Sequence, residues 1–360
     1  YKMLKSAKKP LILAGGGINV ARANENLRRF VEAENVPVVT TIMGKGAIPT
    51  THPLYVGNCG MHGKYAANKA VSECDLLFSI GTRFNDRITG DLNEFAPKAK
   101  IVHIDVDTAS ISRNVVVDVP IVADANVALD KLNEWAEPIK TAEWQKQIKA
   151  WDEENPLGMR RDKGMTPQMI MEHINKNYKD AIYVTDVGQH QLWAAQFYKF
   201  EKPRTLLSSG GLGTMGYSMG AAMGGQMGCP DKTVVMFAGD GGFHMNLSEL
   251  ATMCSYNIPV KMFIMNNTVL GMVRQWQKLF YGNRFADTDP HRATDFVKVA
   301  EGFGVKALRI NTNDDIDSVL KEAFEYQGPV LVDCRISPDS NVLPMIPPGG
   351  AHTDIIEKFN

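Results

Sequence analysis

The chain has 360 residues, a length that suits two α/β domains better than a single hydrophobic core. Hydrophobic residues make up 44% of the chain, which is enough to build both cores, and the formal net charge is −1. A near-neutral chain without a basic stripe interleaved with aromatics argues against a nucleic-acid partner, and no apolar run approaches the ~20 residues of a membrane span.

The five cysteines lie far apart and form no CxxC pair. This usage is typical of reduced thiols in a cytoplasmic protein, and it does not fit a disulfide framework or a zinc site. The chain opens with Tyr1 instead of Met, so we expect a piece of a longer protein, with any targeting signal outside this sequence.

In the first half, short apolar runs alternate with helical patterns, which is the signature of a parallel α/β sheet. The predicted elements are a strand at 10–14 that ends in three glycines, a helix to about residue 33, a strand at 36–41, a helix near 64–72, strands at 76–80 and 101–104, a short strand around 121 and a helix at 126–135. We predict that residues 1–138 form one doubly wound domain.

Residues 139–165 change in character and are predicted to form a linker. A polar helical stretch at 143–155 is broken by Pro156-Leu157-Gly158, and the charged stretch 160–164 is expected to be solvated.

The second half restarts with a predicted helix that Thr166 caps and that has Pro167 in its first position. Strands are predicted at 182–185, 205–207, 234–237, 261–265, 307–310 and 330–334. We predict a second doubly wound domain over 166–345 and a C-terminal tail over 346–360. The proline-rich stretch from Ser337 is expected to lie on the surface.

The sharpest chemical signal is Gly239-Asp240-Gly241, which is followed after 24 residues by Asn266-Asn267. Each motif comes directly after a predicted buried strand. Because the carboxyl ends of parallel strands meet at one edge of a sheet, and ligands of such sheets bind there, we expect Asp240 and Asn267 to lie together.

A carboxylate oxygen, a carboxamide oxygen and a nearby backbone carbonyl are hard donors that suit magnesium, whose other positions are filled by phosphate oxygens and water. Glycines beside Asp240 would let the backbone approach a phosphate. The alternative is a tight strand-to-helix turn followed by an unrelated Asn-Asn turn, which a lone GDG would favour.

The GDG and NN motifs at this spacing resemble the fingerprint of thiamine diphosphate enzymes. The resemblance implies that Asp240, Asn267 and the main-chain carbonyl of Val269 hold Mg²⁺ against the diphosphate. It also implies that Met215 wedges under the cofactor, although a core methionine is the alternative for Met215 alone. The further residues implied to bind this cofactor are Val187, Gly188, Gln189, His190, Gly213, Gly239, Gly241, Gly242, Gly271 and Met272.

Two segments resemble the catalytic subunits of acetolactate (acetohydroxyacid) synthases. The run 271–276, GMVRQW, is similar to their mobile segment, which implies that Trp276 shapes the pocket for the second 2-keto acid. The run 81–87, GTRFNDR, resembles their GxRFDDR stretch, which implies that Arg87 meets a substrate carboxylate. Asn85 stands where that family usually has aspartate. Without this context, Trp276 would be an ordinary half-buried aromatic and Arg87 a solvated loop residue.

The first domain resembles the FAD-binding domain of the biosynthetic synthases, in which FAD is usually structural. A glycine run after a strand can cradle a pyrophosphate, although GGG alone is a weak signal. The residues that the resemblance implies for FAD are Gly15, Gly16, Gly17, His62, Gly63, Arg83 and Asp105.

The resemblance implies decarboxylating condensation of pyruvate with a second 2-keto acid, to 2-acetolactate or 2-aceto-2-hydroxybutyrate, in branched-chain amino acid biosynthesis. It also implies at least a homodimer and the possibility of a regulatory small subunit. The family's N-terminal domain, which supplies an activating glutamate, has no counterpart here, so we expect little activity from this chain alone. A pyruvate oxidase, a 2-keto acid decarboxylase, a glyoxylate carboligase and a non-catalytic cofactor-binding module remain alternatives.

Overall fold

The computed structural model describes residues 1–159 and 164–358, which divide into two compact units. The first comprises Tyr1–Leu157, Lys199–Arg204 and Leu343–Asn360, and the second comprises Gly158–Tyr198 and Thr205–Val342. The predicted boundaries at 138, 165 and 345 stay a prediction. Among the helices of the described residues, none is long and apolar enough to cross a membrane.

Within its described residues, the first unit contains a six-stranded, fully parallel sheet in the order β3-β2-β1-β4-β5-β6. The strands are β1 (Pro10–Ala14), β2 (Val38–Thr40), β3 (Tyr55–Asn58), β4 (Leu76–Ile80), β5 (Lys100–Asp105) and β6 (Val119–Val122). The helices are α1 (Lys2–Ser6), α2 (Gly16–Val20), α3 (Asn24–Glu34), α4 (Tyr65–Glu73), α5 (Asp86–Thr89), α6 (Ala125–Asn133) and α7 (Ala142–Glu154).

Two hydrophobic cores flank this sheet because its strands are apolar on both faces. Along β1, Ile12 and Ala14 belong to one core, whereas Leu11 and Leu13 belong to the other. This alternation is the period of two that a strand imposes on its side chains. It explains why a continuous apolar run correctly predicted a buried strand here.

Two expectations for this unit need correction. The single helix predicted up to residue 33 is two helices, because Arg22 adopts a left-handed φ of 55° between α2 and α3. Strand β3 was not predicted, since it is only four residues long and contains a glycine. Helix α7 agrees with the helical stretch predicted at 143–155, and its Trp144 is buried and donates a hydrogen bond from Nε1 to the Pro10 carbonyl at 3.1 Å.

The stretch after Ser337 was expected on the surface, and this is wrong for part of it. Met345, Ile346 and His352 are buried, and the Nε2 of His352 donates to the Ile88 carbonyl at 2.7 Å. The charged residues 160–163, predicted to be solvated, lie outside the described residues.

The second unit, over the residues described, also contains a six-stranded parallel sheet, in the order β11-β12-β10-β9-β7-β8. The strands are β7 (Ile182–Thr185), β8 (Leu206–Ser208), β9 (Val234–Gly239), β10 (Lys261–Asn266), β11 (Lys306–Ile310) and β12 (Val330–Arg335). The helices are α8 (Pro167–Asn177), α9 (Gln189–Phe197), α10 (Tyr217–Gly228), α11 (Asp240–Asn246), α12 (Leu250–Ser255), α13 (Gly271–Phe280), α14 (Phe296–Gly302) and α15 (Ile316–Glu325).

In this unit, the strands and the helix start predicted from the sequence agree closely with the structure. Helix α8 begins at Pro167, and the Thr166 side chain accepts a hydrogen bond from the Met169 amide, as its capping role predicts. Met236 and Ile264 pack into the core on one face of the sheet. Their neighbour Phe237 points to the other face, where its ring lies 5.8 Å from that of Phe263. The predicted fold class, α/β with two doubly wound parallel sheets, is confirmed.

Candidate diphosphate and metal site

The two predicted metal-binding side chains follow neighbouring strands. Strands β9 and β10 pair in parallel, with Gly239 opposite Met265. Asp240 is the next residue after β9, and Asn267 is the next after β10. Both residues therefore emerge at the same edge of the sheet, and both are buried, with 3% and 6% of their surfaces exposed.

A third strand end joins this edge. Strand β7 lies beside β9 on the side away from β10. After β7, the chain places β8 on one side of β7 and then β9 and β10 on the other side, so the strand order reverses between β7 and β9. Such a reversal is the point at which open α/β sheets bind ligands. It places the turn Asp186–Gln189 next to the turn Gly239–Gly242. The spacing of GDG and NN did not reveal this third neighbour.

The Asp240 carboxylate forms an ion pair that the sequence did not suggest. Its Oδ2 accepts a hydrogen bond from Nη1 of Arg292 at 2.9 Å. Burial raises the pKa of Asp240, and the attraction of Arg292 opposes this rise. The Asp240 carbonyl accepts from Nδ1 of His244 at 2.7 Å, and Nε2 of the same ring pairs with the Thr294 hydroxyl. His244 thus ties two segments of the site together.

The Asn267 carboxamide is held in a defined orientation. Its Nδ2 donates to Oε1 of Gln189 at 3.2 Å, and its Oδ1 accepts from the Val269 amide at 3.1 Å. Between them, Thr268 has a φ of 64°, which is unusual for a β-branched residue. This strained turn folds the backbone of Val269 back onto the side chain of Asn267.

The contact between Asn267 and Gln189 continues through a further buried side-chain amide, that of Gln275 in α13. Gln189 donates from Nε2 to Oε1 of Gln275 at 3.0 Å and to the Ser340 carbonyl at 3.0 Å. Gln275 also exchanges hydrogen bonds with the backbone of Val342. The Gln189 side chain is therefore engaged with protein groups, one of which is Asn267. A Cβ on Gly271 would overlap with both Gln189 and Asn267, which explains a glycine at the start of α13.

Two buried polar atoms at this edge have no hydrogen-bond partner among the described residues, namely Oδ2 of Asp186 and Nε2 of His190. The His190 ring lies against both turns, since a Cβ on Gly188 or Gly239 would come within 2.9 Å and 3.1 Å of it. Burial lowers the pKa of His190 to about 3, so the ring is neutral and can donate from one nitrogen. Burial also raises the pKa of Asp186.

The neutral state of His190 predicts acid sensitivity. The ring binds a proton in the unfolded chain below a pKa of about 6.5, but in the folded chain only near 3. The neutral ring of His190 therefore contributes its full share of stability above a pH of about 6.5, and this share is lost as the pH falls from about 6.5 towards 3. Lowering the pH from 7.5 to 5.5 is expected to reduce the free energy of unfolding by about 1.4 kcal/mol through this residue.

The measurement is urea unfolding at both pH values for the wild type and for His190→Gln, which cannot take up the proton. The variant should lose that part of the pH dependence, whereas His291→Gln, at a side chain that is 87% exposed, should keep it. Equal pH slopes for the wild type and His190→Gln would show that the ring is not held neutral by burial.

Met215 lies on a loop beside the turn after β9. The loop needs glycine at 213 and 216, where φ is 81° and 84°. The Gly216 carbonyl accepts a hydrogen bond from Nδ2 of Asn246, at the end of α11. Met215 is 37% exposed, and its terminal methyl group would lie 3.6 Å from a Cβ on Gly241.

Trp276 lines a cavity of about 550 Å³ within the second unit. Its ring packs edge-on against Phe280, with the centroids 5.8 Å apart. The other lining residues are Met272, Val273, Gln277, Tyr281, Arg284 and Ala286. Most of these side chains are apolar, so the cavity suits a small, largely apolar group.

In the first unit, Gly15, Gly16 and Gly17 follow β1 at the corresponding reversal of strand order, between β1 and β4. A Cβ on Gly15 or Gly17 would overlap with the backbone of Gly81, so close packing of two turns already requires these glycines. The Asp105 carboxylate, at the end of β5, accepts from the Asp107 amide at 2.9 Å. The assignment of this edge to FAD stays a prediction.

The remaining predicted residues of this unit differ in exposure. His62 is 9% exposed and precedes Gly63, where an added Cβ would come within 2.7 Å of the backbone of Cys59. Arg83 is exposed. The side chain of Arg87, on α5, is 58% exposed and contacts the sulfur of Met61 at 3.7 Å. Nη1 of Arg87 also lies 3.9 Å from Oδ2 of Asp86, and the role of Arg87 towards a substrate stays a prediction.

The donor chemistry at Asp240 fits magnesium. Over residues 1–159 and 164–358, no group of three or more His, Cys, Asp and Glu side chains is placed to hold a metal ion. A cation at Asp240 would therefore depend on amide and carbonyl oxygens, which Asn267 and Val269 bring to the same edge. Oxygen-only donors of this kind suit Mg²⁺ and do not suit zinc.

The comparison with protein families agrees with this geometry. The model described as "Thiamine pyrophosphate enzyme, C-terminal TPP binding domain" matches residues 186–334, which contain the turns after β7, β9 and β10. The model described as "Thiamine pyrophosphate enzyme, central domain" matches residues 1–132. The chain belongs to the thiamine pyrophosphate enzyme family.

Within this thiamine pyrophosphate enzyme family, the chain is similar to acetolactate synthase large subunits. It is 47% identical to the probable acetolactate synthase large subunit of Methanocaldococcus jannaschii, over 99% of this chain and 62% of that protein. It is 43% identical to the large subunit of Corynebacterium glutamicum, over 98% of this chain and 59% of that protein. The large subunit of Pyropia yezoensis is 42% identical, with coverage of 99% and 61%. The chain thus spans about three fifths of the length of these relatives.

Sequence reasoning missed three residues of this family member's site. Asp186 was overlooked although it directly follows a buried strand, a position that could have indicated it. Gln275 is a polar residue within an amphipathic helix, where solvent exposure is the usual expectation. Arg292 lies in a polar stretch with no motif, and no sequence signal linked it to Asp240.

Proposed function

We propose that this chain forms the cofactor-binding part of an acetolactate synthase, which condenses two molecules of pyruvate, or pyruvate and 2-ketobutyrate, with loss of CO₂. The products would be 2-acetolactate and 2-aceto-2-hydroxybutyrate, on the route to branched-chain amino acids. The observation that carries the proposal is the position of Asp240 and Asn267, which follow paired strands and share one sheet edge. The likeness to acetolactate synthase large subunits supports this choice within the family.

In this proposal, Mg²⁺ is held by the Asp240 carboxylate, the Asn267 carboxamide and the Val269 carbonyl. Two of these donors are already oriented, because Asn267 is fixed by Gln189 and Thr268 bends the chain between Asn267 and Val269. Phosphate oxygens and water complete the octahedron that Mg²⁺ demands.

The diphosphate would lie over the turns after β7 and β9. Glycines in these turns, Gly188, Gly239 and Gly241 among them, let the backbone approach the phosphate oxygens. Backbone amides of these turns would donate hydrogen bonds to the phosphate oxygens, and the neutral His190 ring lies against both turns. Protein donors at this position replace water around the anion and neutralise part of its charge.

Thiamine diphosphate supplies the electron sink for decarboxylation, which is the chemistry of the cofactor itself. The chain's own residues position it and select the acceptor. Met215 would support the bent cofactor from below. Trp276 would shape the pocket for the second keto acid. For Arg87, we propose the role of a partner for a substrate carboxylate.

For the first unit we propose FAD, bound at the edge that carries the three glycines after β1, with Arg83 and Asp105 at neighbouring strand ends. We also propose a homodimer or larger assembly, the possibility of a regulatory subunit, and a cytoplasmic location. All five cysteines are free and three of them are buried, which supports a reducing compartment.

The proposal is tested first by calorimetry of the purified chain with thiamine diphosphate, in the presence and absence of Mg²⁺. Saturable binding that depends on Mg²⁺ is expected, and no binding in either condition would contradict the proposal. The reaction is tested by adding the part of the Methanocaldococcus jannaschii relative that this chain does not match, and by assaying pyruvate consumption. Acetolactate is expected, whereas acetaldehyde or a flavin-coupled acetyl product would point to a decarboxylase or an oxidase.

A further inference from the structure

A positively charged side chain contacts the carboxylate that is proposed to hold the cation. Nη1 of Arg292 lies 2.9 Å from Oδ2 of Asp240, and the carboxylate side chain is only 4% exposed. The guanidinium also lies across the start of α11, since its Nη2 would be 3.5 Å from a Cβ on Gly241. Arg292 thus covers the turn over which the diphosphate would bind.

The segment that carries Arg292 is held in place on both sides. Before it, the Thr288 carbonyl accepts from the Leu270 amide at 2.8 Å, one residue after the proposed carbonyl ligand Val269. After it, the Thr294 hydroxyl pairs with His244 at 2.9 Å, and the ring of His244 bonds the Asp240 carbonyl. Asp295 then caps α14. Both partners of the ion pair therefore belong to segments that other hydrogen bonds hold in place.

The Asp240 carboxylate needs a cation in either state. A buried carboxylate without a positive partner is unfavourable, and Arg292 supplies that partner when no metal is bound. A divalent ion on the same carboxylate would face a guanidinium a few ångströms away, in a site with little water to screen the repulsion. The two cations therefore compete for one carboxylate.

We propose that Arg292 is the counter-ion of the Asp240 carboxylate in the protein without metal. Arg292 gives way when a divalent cation binds to Asp240, and this competition sets the affinity of the protein for that cation. This inference rests on the proposed metal site at Asp240. It adds a determinant of metal affinity that lies outside the GDG and NN motifs. It also predicts that loss of a positive charge strengthens metal binding, the reverse of what damage to the site would do.

The experiment measures Mn²⁺ binding to the whole chain without thiamine diphosphate, by electron paramagnetic resonance of the free ion. Arg292→Gln is expected to bind Mn²⁺ about 10-fold more tightly than the wild type, which corresponds to about 1.4 kcal/mol. Arg292→Lys keeps the charge and should remain close to the wild type. Arg113→Gln is the matched control, because Arg113 is exposed and belongs to the first unit, whose residues are not part of the proposed metal site.

Unchanged or weaker Mn²⁺ binding by Arg292→Gln would overturn the proposal. Weaker binding of thiamine diphosphate by the same variant, together with unchanged Mn²⁺ affinity, would instead indicate that Arg292 is a ligand of the diphosphate.

The variant Asp240→Ala separates this inference from the proposed function. If that variant binds Mn²⁺ as the wild type does, the metal site itself is wrongly placed. Thermal unfolding of each variant checks that the fold is intact.

Discussion

Replacing Asp240 by alanine is expected to weaken the binding of thiamine diphosphate in the presence of Mg²⁺ by at least about 100-fold. Loss of residues that merely orient metal ligands already weakens metal binding by about 10–100-fold, so loss of a ligand should exceed this range. Asp240 is the single carboxylate among the three proposed donors. Its removal also leaves Arg292 without its anionic partner, beside the proposed metal site.

The measurement is calorimetry with thiamine diphosphate at saturating and at zero Mg²⁺. Asp231→Ala is the control, because Asp231 is exposed and precedes the same strand. Asp240→Ala should bind equally weakly in both conditions, since the ion no longer links the cofactor to the protein. Affinity equal to that of the wild type would refute the assignment of Asp240.

Replacing Gly242 by alanine is expected to lower the free energy of unfolding by about 2–3 kcal/mol and to weaken diphosphate binding as well. An added Cβ would overlap with the Asp186 carboxylate, which is buried and held by the Tyr217 amide at 3.1 Å. The clash can be relieved if the Asp186 carboxylate rotates away from the Tyr217 amide or if the turns after β7 and β9 move apart, and either change disturbs the packing of these turns. These are the turns over which the diphosphate is proposed to lie.

Gly224→Ala is the matched control, because Gly224 is an exposed position within α10 where no described atom lies within 4 Å of the added Cβ. An alanine there should be neutral or stabilising by up to about 1 kcal/mol, since glycine is a poor helix former. Urea unfolding gives the stability of each variant, and calorimetry gives the affinity. A Gly242→Ala protein as stable as Gly224→Ala would mean that the two turns are not tightly packed.

Family membership made the cofactor predictable from few residues. The GDG and NN motifs each follow an apolar run, so a reader of the sequence can place both at strand ends and infer oxygen donors at one edge. The same reasoning could not find Gln275 or Arg292, whose partners Gln189 and Asp240 lie 86 and 52 residues away. Such pairs are set by how strands and loops are arranged in space, which local patterns do not encode.

The first unit gives a similar lesson for glycines. The run Gly15–Gly17 was interpreted as a phosphate cradle, but the closest neighbour of Gly15 and Gly17 is the backbone of Gly81. Packing between two turns is thus a sufficient reason for glycine at both positions. Whether the same edge also binds FAD is a separate question, which flavin absorbance of the purified protein would answer.

The sequence by itself determined the alternation of strands and helices, because apolar runs of strand length between amphipathic segments can be buried only in parallel sheets covered by helices. It also determined the chemical character of the site, since residue types fix which donors are available. Only the tertiary structure decided the strand order that sets β7 beside β9, the burial that keeps His190 neutral and the contact between Arg292 and Asp240. These depend on contacts between distant parts of the chain, whose free energies are settled by the packing of the whole unit.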